Sequence, residues 1–161
     1  MAKAKRAQYI VMMNVGTADK PEYEYLGKDN EDLSQTLNNE VNTTKNVLGM
    51  TTTEVTKGAQ TTSVDPFKID DTSKVAQVLH DIFLNESELS DVEHDFVQAF
   101  LYKPVGEDGE VEAFMQRGAI DLKSYGGDTT GVSAPFDINW LGARTYGTFN
   151  PTTKVFTPTT A

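Results

Sequence analysis

The sequence predicts a mainly β domain packed against one α-helix, for three reasons. Several segments have the two-residue alternation or the β-branched and aromatic density of strands. Only one segment repeats apolar residues at helical spacing. Turn residues punctuate the rest, and no linker or internal repeat divides the 161 residues into more than one domain.

The first seven residues read as a basic tail containing Lys3, Lys5 and Arg6, with a single domain over 8–161. Segments 8–15, "QYIVMMNV", and 22–26, "EYEYL", are strand-like and joined by the polar "GTADKP". In 31–38, Leu33, Gln35 and Leu37 alternate with Asp32, Ser34, Thr36 and Asn38, the pattern of a strand wet on one face. Residues 40–62 form an extended polar arm. Its second half, "TTTEVTKGAQTT", has six threonines in twelve residues, which favours extended backbone and leaves little to bury.

Residues 70–86 predict the helix. Val75, Val78, Leu79, Ile82 and Phe83 form one apolar stripe, assigned to the core, and Asp70, Asp71 or Thr72 can cap the start. Segment 94–104 is apolar on both faces, with Phe96, Phe100 and Tyr102 on one and Val97, Ala99 and Leu101 on the other, as in a strand through the middle of a domain. Asp108 and Gly109 supply a hairpin turn, and 111–125 returns with Gly118 as an expected bulge. "YGGDTTG" reads as a flexible loop. Beyond it Val132, Ala134, Phe136, Ile138 and Trp140 alternate with Ser133, Pro135, Asp137 and Asn139. Pro135 lacks a ladder donor, which places it at an edge or bulge. A hairpin over 147–158 turns at Asn150 and Pro151.

The chain has 14 basic and 24 acidic residues, a net charge of −10, and a mean hydropathy of −0.43. An acidic body repels phosphate backbones, so specific nucleic-acid binding is not expected. No apolar run approaches the roughly 18 residues of a membrane span, and the N-terminal residues lack a signal-peptide pattern, so a soluble, non-secreted protein is expected. The chain has no cysteine, which excludes disulfides and thiolate chemistry. The two histidines suggest no catalytic or metal site: His80 lies off the helix stripe, and on a strand Glu93 and Asp95 point away from His94. "DNEDL" and "GEDGE" lack the ligand alternation of a calcium loop, and the short glycine motifs lack a phosphate-binding context. No catalytic, cofactor or metal residue is assigned, and no enzyme is expected.

The order of these pieces resembles the major tail tube proteins of long-tailed phages, especially those of Gram-positive hosts. The resemblance runs from about residue 8 onward. It rests on "NNEVNTTKNVLGMTTTEVTKGAQTTSVDPFKID", with Lys45, Leu48 and Gly49 at its turn, and on "SYGGDTTGVSAPFDINWLGARTYGTFNPTTKVFTP". It implies a β-sandwich or rolled β-barrel with a flanking helix, forming hexameric rings that stack into a hollow virion tube assembled in the host cytoplasm. Four strands from each of six subunits would make an inner barrel roughly 40–50 Å across at the backbone, wide enough for double-stranded DNA to pass without specific binding.

The implied partners are further copies of the chain, a tape-measure protein, a tail terminator and a distal tail or baseplate protein, with no membrane and no cofactor. In that setting Val41, Lys45, Val47, Leu48 and Met50 are expected at subunit or ring contacts. Asp32, Ser34, Thr36, Glu54 and Asp137 are expected to face the lumen. Two rival readings are the inner tube of a contractile tail, tail-like bacteriocin or secretion system, and a non-assembling β-sandwich binding module.

Overall fold

Segments rich in valine, isoleucine and aromatic residues pair into one antiparallel sheet in the computed structural model, which describes residues 3–17, 19–27, 30, 33–106 and 108–159. In chain order the elements are β1 (Tyr9–Asn14), β2 (Tyr23–Tyr25), β3 (Gln35–Thr36), β4 (Glu40–Lys45), β5 (Thr51–Thr56), β6 (Thr61–Val64) and α1 (Lys74–Asn85). They continue with β7 (Glu93–Val105), β8 (Glu110–Leu122), β9 (Gly126–Asp128), β10 (Gly131–Ser133), β11 (Phe136–Asn150) and β12 (Val155–Pro158). The main sheet runs β2-β1-β7-β8-β11-β6-β3, and β12 adds to β11. β4 pairs with β5 and β9 with β10 as separate two-stranded ribbons.

β7, β8 and β11 form the middle of the sheet because both of their faces are apolar. On one face Phe96, Ile120, Phe136, Ile138 and Trp140 pack with Val75, Ala76, Leu79 and Ile82 of α1. On the other, Met12, Val97, Ala99, Val111, Ala113 and Phe149 form a second core. The sheet curls over this second core until Tyr23 of β2 meets Phe149 edge-on, with ring centroids 6.2 Å apart. The sheet is rolled without closing, and β2 and β3 remain the two ends of its pairing path.

The helix differs from its predicted form in three ways. It is shorter than 70–86 and its N-cap is Ser73, whose side chain accepts from the Ala76 N–H. Asp70 instead accepts from the backbone N–H and hydroxyl of Thr72, a local turn that precedes the helix. Phe83 is 54% exposed and stacks on Tyr125 at 4.7 Å. It therefore lies at the margin of the stripe, while Ala76 takes a core position. Val75, Leu79 and Ile82 are buried and Val78 is half-buried, as a core stripe requires.

Other corrections follow the backbone. Of the segment 31–38, whose described residues are 33–38, only Gln35 and Thr36 among those described pair as a strand. Leu33 is buried, but Leu37 is exposed because Asn38 turns the chain outward at φ 53°. The arm ends at Thr56, and Thr61–Val64 rejoins the main sheet, where buried Thr62 accepts from Trp140 Nε1–H at 2.9 Å.

Gly118 keeps ladder register opposite His94 and Trp140 and is no bulge. The register shifts lie between Phe100 and Pro104 and between Leu141 and Thr145. The loop "YGGDTTG" contains β9 and leads into β10, and Val132 is exposed on that small ribbon. Arg6 is no part of a free tail: it lies in a 3-10 turn and donates to the Leu33 carbonyl at 2.9 Å. The hairpin over 147–158 has its expected bounds, with Gly147 opposite Pro158 and Asn150 opposite Val155.

Candidate functional site

β4 and β5 form an arm because their sequence offers nothing to a core. Every residue from Glu40 to Lys45 and from Thr51 to Thr56 is exposed. Val41 opposite Val55 is its cross-strand apolar pair, and the Thr43 and Thr53 hydroxyls lie 3.3 Å apart. At the tip Asn46 Oδ1 accepts from the N–H groups of Leu48 and Met50, and Gly49 adopts φ 82°. At the base Asn38 donates to the Ala59 carbonyl at 2.7 Å. Gly58 passes so close that a Cβ would lie 1.7 Å from the Asn38 oxygen, which demands glycine there.

The five residues expected at contacts between copies are gathered on this arm. Val41, Val47, Leu48 and Met50 are all more than half exposed, and Lys45 closes the ladder opposite Thr51. An isolated two-stranded hairpin is marginal in water, and exposed apolar side chains at its tip gain nothing from the fold itself. The arm therefore presents its apolar side chains to solvent without burial in the subunit.

The expected lumen residues divide. Ser34 and Thr36 share a shallow depression with Ser63 and Asp65. Ser63 pairs with Asp137, which also pairs with Asp121. These residues lie on the sheet face opposite Phe136 and Ile138, so Ser34, Thr36 and Asp137 belong to one polar strip. Glu54 lies apart on the arm, and Asp32 is outside the described residues. The strip is less anionic than its carboxylates suggest, because Lys123 Nζ lies 2.6 Å from Asp121 and 3.5 Å from Asp137. The Asp121 hydrogen bond and charge hold the Lys123 ammonium above the usual lysine range.

A further surface was legible only as separate aromatics. Beyond the end of the helix-covered core, Tyr9 stacks on Phe100 at 5.6 Å and Phe100 lies 6.0 Å from both Tyr102 and Phe114. Tyr146 adjoins Phe114, and the Arg144 guanidinium sits 4.3 Å over the Phe114 ring. Tyr102 and Tyr146 are exposed. Below this platform Tyr9 donates to Gln98, Gln98 to Gln35 at 2.6 Å and Gln35 to Gln60 at 2.5 Å. Burial pushes the Tyr9 hydroxyl above the usual tyrosine range. Phe100 and Tyr102 already shared a face in the sequence pattern, but joining them to Phe114 and Tyr146 needs the β7-β8-β11 register.

The two histidines lie in different surroundings. His80 is exposed and lies 3.2 Å from the Tyr125 hydroxyl. Glu93 and Asp95 turn to Arg117, the latter at 3.1 Å, while His94 points to the other face. Among the described residues, no group of three or more His, Cys, Asp or Glu residues could hold a metal ion. In comparisons with protein-family models and with curated proteins, nothing matches this chain.

Proposed function

We propose that this chain is a self-assembling structural protein whose arm joins one copy to the next. More specifically, it is the major tail tube protein of a long-tailed bacteriophage, forming hexameric rings that stack into a conduit for double-stranded DNA. The observation that carries the assembly reading is the β4-β5 arm, with its apolar tip exposed and a base held by Asn38 and Gly58. The rolled sheet supports it, since open sheet edges and an exposed aromatic platform are surfaces that neighbouring subunits can cover. The tail-tube assignment rests on the sequence resemblance.

The strip of Ser34, Thr36, Ser63 and Asn139 with Lys123-paired carboxylates suits a channel wall. Hydroxyl and amide groups bind phosphates weakly, and the net charge of −10 disfavours lasting attachment to DNA. The test is sedimentation and negative-stain microscopy of the full chain as concentration rises. Rings or tubes about the width of a phage tail support the proposal, and a monomer at every concentration overturns it. Assembly into a shape with no central channel would retain self-association and reject the conduit.

A further inference from the structure

Beside the C-terminus of α1 the main sheet has a notch. β7 begins at Glu93 opposite Ala119, so from Ile120 to Leu122 β8 continues with no described strand on that side. The notch opens into a groove of about 570 Å³ walled by Phe83, Leu84, Leu89 and Val92 and floored by Ile120 and Leu122. Leu84 is 66% and Leu89 83% exposed. Leu89 also holds φ 56°, a left-handed backbone that costs a leucine energy without any burial in return.

The groove and the arm tip are complementary. One is concave and the other projects, and both expose leucines. Glu86 and Glu88 rim the groove without ion-pair partners among the described residues, while Asp121, also on its lining, is already paired with Lys123. Residues 45–50 of the tip include Lys45 and no carboxylate. Over 40–57 as a whole two lysines balance two glutamates, in a chain whose net charge is −10, so the arm approaches an acidic body without repulsion.

We propose that the arm tip of one copy, through Val47, Leu48 and Met50, fills the groove between α1 and β8 of a second copy, with Lys45 facing the glutamate rim. The contact joins two different surfaces of the same chain. It is therefore heterologous, and it propagates into a ring or a filament instead of stopping at a two-fold dimer. This inference rests on the assembly reading and adds the receiving surface to it.

The test uses the full chain and the absence of native cysteine. Leu48→Cys and Leu84→Cys are made as separate proteins, mixed under assembly conditions and oxidised. The mixture is expected to give a disulfide-linked pair, and neither protein alone should. Leu48→Asp and Leu84→Asp, each at an exposed site, should each raise the concentration needed for assembly at least about tenfold. Mixed together they should form a dimer that grows no further, because only one competent arm and one competent groove can meet. Leu89→Asp is the second groove variant, and unchanged thermal melts confirm that all three variants fold.

Equal linkage in Leu48→Cys alone would mean tip-to-tip contact and overturn the proposal. Normal assembly of both groove variants would overturn it while leaving the tube reading intact. Failure of the unmodified chain to assemble would overturn both.

Discussion

Gly118 shows how a single residue acts in this protein through what it lacks. A Cβ there would lie 2.7 Å from Ile138 Cγ2 and 3.0 Å from Phe96 Cε1, so the close packing of β7, β8 and β11 needs the missing side chain. Gly118→Ala is expected to cost about 1–3 kcal/mol by overpacking, read from urea unfolding. Leu79 is wholly buried, and Leu79→Ala should cost about 2–5 kcal/mol. Phe83→Ala should lose little more than its stacking on Tyr125, about 0.5–1.5 kcal/mol. Comparing the two melts separates the core face of α1 from its groove-facing edge.

His94 has a buried Nε2 with no hydrogen-bond partner, and burial together with the Arg117 charge holds its pKa below the usual histidine value. The unfolded chain therefore takes up this proton first as pH falls below about 6.5. The His94 contribution to stability is complete above that pH and is lost as pH drops toward the folded-state value. His94→Gln should flatten that part of the pH profile, seen as a smaller stability loss between neutral and mildly acidic pH than in the unmodified chain.

At the scale of elements, α1 and the arm are opposites. The helix buries a stripe and starts from Ser73, itself 4% exposed. Ser73→Ala should destabilise by about 0.5–2 kcal/mol, since it leaves the Ala76 N–H without its partner in a buried place. The arm buries nothing within the subunit. Replacing residues 42–54 with a two-residue glycine-containing turn should leave the thermal melt unchanged and abolish assembly. Full-length tubes from that variant would show that the arm is dispensable. β11 shows a third behaviour: the register shift between Leu141 and Thr145 bends one strand so that its first half lies under α1 and its second half pairs with β12.

Across the whole molecule, the curl of the sheet separates two cores, and its surface carries the Ser34–Ser63–Asp137 strip, the aromatic platform and the α1–β8 groove, which meets the strip at Asp121 and Asn139. If the strip lines a channel, adding cations to it should convert a passive wall into a binding one. The variant Ser34→Lys, Thr36→Lys, Ser63→Lys is expected to assemble and to retain duplex DNA at low salt, with retention falling steeply as salt rises. Assembled tubes of this variant that ignore DNA at low salt would place the strip elsewhere.

What the sequence determined by itself was local. Strand alternation in 94–104, the turn at Asp108 and Gly109, the hairpin at Asn150 and Pro151 and the helical stripe through Val75, Leu79 and Ile82 depend on neighbours within a few residues, and each was legible. The exposed arm was legible as far as Thr56, because its threonines offer little to bury, but Thr61 and Thr62 of the same threonine-rich segment return to the main sheet, where Thr62 is buried against Trp140. Only the tertiary structure decided the rest. Ser73 and not Asp70 caps the helix because Asp70 is engaged in its own turn. Leu37 turns outward because the backbone leaves the sheet at Asn38. The groove beside Leu84 and Leu89 exists because β7 starts later than β8 ends. These features depend on which strands lie side by side and where each one stops, and residues far apart in the chain set that pairing through long-range packing that no local pattern contains.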